Sequence, residues 1–292
     1  MKHWFLDSEF PNSKPENARF HIIPFPLEET VSYMGGTAKG PEAIIEASSQ
    51  LEQLVEGYGN PGRLGMYTAE AVNIEQKTHS AIEEASKAMI FAHACHAIPV
   101  LLGGEHSVTN AVIGFLHTCY QKGEVGVLQF DAHMDLRSSY EGSELSHACV
   151  MRRVVESGID LFQVGIRNYS EEDLAARQSF HVLSYDASYL YRQKDGGTSL
   201  TTLRLPDSFP KKLYITFDVD GLDASLMSAT GTPDPGGLSW WDSITMLETL
   251  TQGRTIIGMD VVELAPNALH HTSYTASKLT YFLMGLASKR SS

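Results

Sequence analysis

"VGVLQFDAHMDL", residues 125–136, decides the fold: an apolar run leads straight into Asp131, His133 and Asp135 at alternate positions. Continuous rather than alternating hydrophobicity is what a strand covered on both faces requires. At its far end, residues i and i+2 of an extended segment point the same way, roughly 6.6 Å apart. Here those positions pair Asp131 with His133 and His133 with Asp135, and two carboxylates gathered near one another repel unless something positive lies between them. A buried strand that ends in acid, imidazole and acid therefore asks for a partner.

Outward from this stretch, five similar runs read as buried strands: "RFHIIPFP" (19–26), "AIPVLLGG" (97–104), "LFQVGIR" (161–167), "KLYITFDVD" (212–220) and "TIIGMDVVE" (255–263). Between them, helical spacing predicts helices over 40–55, 78–97, 107–120, 146–157, 240–251 and 273–287. The first opens on Gly40 and Pro41, with Ile44, Ile45, Leu51 and Leu54 recurring at helical intervals. Such alternation implies an α/β class, with a mainly parallel sheet between two layers of helices. No linker-like stretch interrupts it, so one domain is expected over residues 1–292. "GTPDPGG", 231–237, is a loop.

Composition narrows the function. The 292 residues carry a formal net charge of −13, which argues against a nucleic-acid surface and suits a cationic small molecule. Cys95, Cys119 and Cys149 stand far apart, so neither a disulfide framework nor a thiolate zinc site is expected. No apolar run is long enough to span a membrane, and "MKHWFLDSEF" lacks the form of a signal peptide, so a cytoplasmic protein is expected.

Three strand ends carry metal-ligand chemistry. "VLLGGEHS" delivers His106, "FDAHMD" delivers Asp131, His133 and Asp135, and "TFDVDGLD" delivers Asp218 and Asp220, with Asp223 three further on. A lone DxD at a strand end reads as a turn or a helix cap and a lone His106 as a satisfied polar residue beside a helix N-terminus, whereas a single DxHxD points as much to a metal site as away from one. Together, at the carboxyl ends of parallel strands, they can converge on a shared ion pair. Four aspartates against two divalent cations and a bridging hydroxide leave an anionic site, ready for a cation. Oxygen and imidazole donors without thiolate favour manganese over zinc. Two further residues complete a site. His147, in "ELSHACVMRRV", can relay protons near neutral pH. Glu263, in "GMDVVELAP", can grip a guanidinium bidentately. Asp260 reads as structural.

The motifs "GGEHS", "DAHMDL", "SHACVMRR", "FDVDGLD", "GTPDPGG" and "DVVELAP" resemble, in order, those of the ureohydrolases, the arginase and agmatinase family. The resemblance implies a three-layer α/β/α domain, two Mn2+ per chain, hydrolysis of a guanidino group to urea, and a homotrimer or homohexamer. It assigns His106, Asp131, Asp135 and Asp218 to one metal, and Asp131, His133, Asp218 and Asp220 to the other. Asp131 and Asp218 bridge, Asp135 also orients the hydroxide, His147 is the proton shuttle and Glu263 contacts the guanidinium. "DLRSSYEGSELSHACVMRR" is similar to a branch of microbial agmatinases, so agmatine is the expected substrate, giving putrescine and urea. Arginases place an asparagine where this chain has Arg137, a departure that disfavours arginine; Arg137 is expected to turn outward into a salt bridge. Glu105, where many members have aspartate, is expected to matter little. The alternatives are a sister ureohydrolase acting on aminopropylagmatine or guanidinobutyrate, an amide or formimino hydrolase on the same fold, and a non-catalytic oligomeric scaffold.

Overall fold

A computed structural model describes residues 3–289. The six expected strands are present as β1 (Phe20–Phe25), β3 (Ile98–Gly103), β4 (Val125–Phe130), β5 (Asp160–Val164), β7 (Lys212–Asp218) and β8 (Thr255–Val262). Two three-residue strands, β2 (Met66–Thr68) and β6 (Leu183–Tyr185), cap the two edges of the sheet. Both are too short to leave a buried apolar run in the sequence, and β6 is also partly exposed. All pairings are parallel, in the spatial order β2-β1-β3-β8-β7-β4-β5-β6.

The strands' two-residue periodicity sorts their side chains into two cores. Phe20, Ile22, Val100, Leu102, Leu128 and Phe130 pack with residues of α1 (Gly40–Ser48), α6 (Ala187–Asp195), α7 (Trp240–Thr251) and α8 (His270–Ser288). Their neighbours Ile23, Phe25, Leu101, Val125 and Val127 point the other way. There they meet α2 (Thr78–Ala94), α3 (Asn110–Cys119), α4 (Val150–Glu156) and α5 (Glu171–Ser179). The result is the expected three-layer α/β/α arrangement. Among the described residues, no helix is long and apolar enough to cross a membrane.

Helix ends differ from expectation for local reasons. The first helix stops at Ser48 rather than 55, because Ser48 and Ser49 turn their hydroxyls back onto the carbonyls of Ile45 and Glu46. Leu54, counted toward its apolar face, is 72% exposed. Both helices that begin beside the site, at His106 and at His147, start with a 3-10 turn before becoming α-helical. The unforeseen α5 is polar along most of its length and owes its start to a capping box between Ser170 and Asp173.

The chain leaves β3 and resumes in the sheet at β4, three positions along, with β8 and β7 between them. Such a reversal of strand order opens a crevice at the carboxyl ends. The four central strands, β3-β8-β7-β4, are those that precede His106, Glu263, Asp218 and Asp131.

Candidate metal centre

Register brings the ligands level. Phe130 pairs with Phe217 across β4 and β7, their rings stacked 5.0 Å apart, so Asp131 and Asp218 leave adjacent strands side by side. Asp218 in turn pairs with Val262, which sets Glu263 at the same height on β8. Gly221, just past Asp220, lies against the Asp131 backbone; a Cβ there would come within 2.9 Å of the Asp131 nitrogen. Asp135 (φ 52°) and Glu263 (φ 65°) both sit in the left-handed region, a strained conformation for these residues that aims each carboxylate inward.

All six expected ligands converge. His106 Nδ1 lies 3.1 Å from Asp131 Oδ2, 3.0 Å from Asp135 Oδ2 and 3.4 Å from Asp218 Oδ2. His133 Nδ1 lies 3.0 Å from Asp220 Oδ2 and 3.6 Å from Asp131 Oδ1. Two sets able to hold a metal result, His106–Asp131–Asp135 and Asp131–His133–Asp220, with Asp131 common to both. Asp218 adjoins the first set through His106, and its Oδ1 accepts from the Asp220 N–H at 2.9 Å.

Charge and hydrogen bonding fit a cation here. Burial lifts the Asp135 carboxyl to about 7, with the Asp131 charge adding to the effect, and lifts Asp218 well above its usual range. Burial opposes the charge on both histidines, yet the surrounding carboxylates win: His106 rises well above its usual value and His133 to about 12. Asp131 would also be raised by burial, but hydrogen bonds from the two imidazoles hold it low. His106 Nε2 hydrogen-bonds Thr216 Oγ1 at 2.9 Å, while its buried Nδ1 has no well-directed partner. A divalent cation answers both conditions, supplying positive charge among the carboxylates and a bond for Nδ1.

The two remaining expected residues border the same cavity, of about 250 Å³, together with His106, His133, Asp135, Asp218 and Asp220. Glu263 accepts the His106 N–H on Oε1 at 2.6 Å, and burial raises its carboxyl to about 8. His147 is lowered by burial, with the Glu105 charge opposing the shift. Asp260 stays outside the cluster, accepting from Thr109 and Tyr214 beneath it, as a structural residue does.

One expectation is corrected. Arg137 does not turn away: it borders the cavity, its guanidinium 4.9 Å from the Tyr140 ring centroid and its Nε 3.9 Å from Asp173 Oδ2. Asp173 is already engaged by the Leu136 and Ser170 amides and the Ser170 hydroxyl, so Arg137 gains only a weak contact there and lies over Tyr140 instead. Glu105 lies outside both ligand sets, wholly buried and accepting hydrogen bonds from Glu29 N, Thr30 N, Thr30 Oγ1 and Ser107 Oγ.

Supporting residues went unread in the sequence. Gln129 Nε2 donates to Asp131 Oδ2 at 2.7 Å, and Gln163 Nε2 donates to Gln129 Oε1. Arg167 ties the carbonyls of Asp220, Leu222 and Asp234, locking the ligand turn to the Gly- and Pro-rich loop. The available signal was a polar residue inside each apolar strand, Gln129 in β4 and Gln163 in β5, since buried polar groups are the informative exceptions.

Residues 18–285 match the model of the Arginase family. The N(1)-aminopropylagmatine ureohydrolase of Thermus thermophilus is 35% identical over 276 residues, 93% of this chain and 91% of that one. The agmatinase of Pyrococcus horikoshii is 33% identical over 289 residues, covering 97% of each. The solved agmatine ureohydrolase of Thermoplasma volcanium superposes with a TM-score of 0.83 at 27% identity, over 98% of this chain and 94% of that one.

Proposed function

The chain belongs to the arginase family, and on that premise we propose that it hydrolyses agmatine to putrescine and urea at a centre of two manganese ions. The observation that carries this reading is the pair of ligand sets sharing Asp131 beneath a cavity bordered by Glu263 and His147. His106, Asp131, Asp135 and Asp218 would hold one ion, and Asp131, His133, Asp218 and Asp220 the other. Bound there, the metals would supply an activated water at neutral pH and stabilise developing negative charge.

The chain's own residues do the rest. Glu263 keeps one carboxylate oxygen on the His106 amide and offers the other to the guanidinium, whose charge holds the carboxyl ionised. Asp135 orients the attacking water. His147 gives a proton to the departing amine. The acidic cluster selects a cationic head group over a neutral one. Residues 1–292 act as one ureohydrolase domain in a cytoplasmic homotrimer or homohexamer.

A second reading, hydrolysis of N1-aminopropylagmatine, draws support from the cavity mouth and from the Thermus relative's name. Tyr33 and Tyr169 line the mouth and are 77% and 47% exposed, offering aromatic faces to the second ammonium of a longer tail. Urea release from agmatine, N1-aminopropylagmatine, guanidinobutyrate and arginine, with and without added manganese, tests both. The expected result is manganese-dependent turnover of agmatine or its aminopropyl derivative. Release of a product other than urea, or no turnover of any of the four, would defeat the proposal.

A further inference from the structure

His147 makes its shorter hydrogen bonds to Thr30, while the Ser146 hydroxyl lies 3.4 Å from Nδ1. The Thr30 hydroxyl donates to Glu105 Oε1 at 2.8 Å, and the His147 backbone N–H donates to Thr30 Oγ1 at 3.1 Å. His147 Nδ1 lies 3.1 Å from the same oxygen. A hydroxyl has a single hydrogen, and here it is directed at Glu105. Thr30 can therefore only accept from the imidazole, so the ring carries its hydrogen on Nδ1. Glu105 is itself fixed, since its other oxygen accepts from the amides of Glu29 and Thr30 at 2.8 and 2.6 Å, and Ser107 adds a further donor.

We infer that Glu105 and Thr30 are positioning residues that set the tautomer and orientation of His147, leaving Nε2 as the nitrogen that exchanges a proton with the substrate. The inference rests on the reading of His147 as the proton donor. Thr30 stands 117 residues before His147, on the loop whose next residues, Val31 to Tyr33, border the cavity. A histidine without such a partner divides its neutral population between two tautomers and two ring orientations. Thr30 and Glu105 remove that choice, much as an oriented carboxylate does for other catalytic imidazoles.

The test uses the manganese-loaded enzyme and four variants: Thr30→Val, Thr30→Ser, His147→Asn, and Thr30→Val combined with His147→Asn. Thr30→Val is expected to lower kcat for agmatine by about 10- to 100-fold, with KM and manganese content within about twofold of wild type. Thr30→Ser keeps the hydroxyl and is expected to restore most of the rate. In the His147→Asn background, Thr30→Val is expected to add no more than about a twofold loss, because its effect travels through the ring. Equal losses in both backgrounds, or a Thr30→Val rate equal to wild type, overturn the inference. Imidazole nitrogen-15 shifts, recorded on enzyme loaded with diamagnetic zinc because paramagnetic manganese broadens nearby ring signals away, give a readout independent of turnover. The signal missing from His147→Asn should report Nδ1–H in the wild type and a mixture of tautomers in Thr30→Val. An Nε2–H wild-type ring would sink the relay even in an active enzyme. Failure to release urea from any guanidino compound would instead count against the proposed function and leave the tautomer measurement to decide the relay.

Discussion

Gln129 and Asp131 stand one pleat apart at the end of β4, and the Gln129 amide donates at 2.7 Å to Asp131, a carboxylate common to the His106–Asp131–Asp135 and Asp131–His133–Asp220 clusters. The orientation of that amide is fixed from behind. Arg177, paired with Asp186, donates to Gln163 Oε1, so Gln163 must turn its nitrogen to Gln129, and Gln129 its own to Asp131. Gln129→Leu removes this support and leaves buried polar groups short of a partner. The expected outcome is manganese affinity about 10- to 100-fold weaker and a stability loss of about 1–3 kcal/mol. Metal titration by calorimetry and urea unfolding check the two figures; undiminished affinity would show that Asp131 needs no support from behind.

Asp131 belongs to both ligand sets and Asp220 to one. Asp131→Ala is therefore expected to retain fewer than one manganese per chain, and Asp220→Ala to retain about one. Elemental analysis of the purified variants separates the cases. Two ions retained by Asp131→Ala would refute its shared role.

Glu28 anchors the turn that leads into α1, accepting from the amides of Gly36 and Ala38 and from the Thr37 hydroxyl. Burial alone would raise its carboxyl, but these donors, helped by Lys39, hold it below the usual value. A depressed folded pKa contributes stability that is fully present above the unfolded value of about 4.3 and is lost as pH falls through the folded one. Wild type should exceed Glu28→Gln in urea midpoint at pH 7, with the gap closing below about pH 4. A gap that stays constant on acidification would show that the charge on Glu28 is not what stabilises the turn.

Arg137 borders the cavity with its charge only weakly matched by Asp173. It should penalise a cationic tail and favour a carboxylate one. Arg137→Gln is expected to raise kcat/KM for agmatine relative to guanidinobutyrate by about tenfold. An unchanged ratio would place the bound tail beyond reach of the guanidinium.

The six long strands and the convergence of eight site residues were legible because each strand is a continuous apolar run and each ligand follows one directly. Trp240–Thr251 was legible to the residue, being started by Ser239 as an N-cap. What escaped was set by tertiary partners. Ser48 and Ser49 end α1 through bonds to their own backbone, in a stretch whose apolar spacing continues past them. Arg137 is turned inward by Tyr140 and by an Asp173 already occupied, neither of which a charge count shows. Thr30 reaches His147 across 117 residues, a separation over which local pattern carries no information.

The placement of β7 and β8 between β3 and β4 also bears on the order of events during synthesis. A chain elongated only to residue 211 can pair β2-β1-β3 and, separately, β4-β5-β6, each block with an open inner edge. Those edges are aggregation-prone until the last two strands arrive and close the gap. His106 rides on one block and Asp131, His133 and Asp135 on the other. A newly made chain is thus kept from assembling its full ligand set until the final strands have joined the two halves.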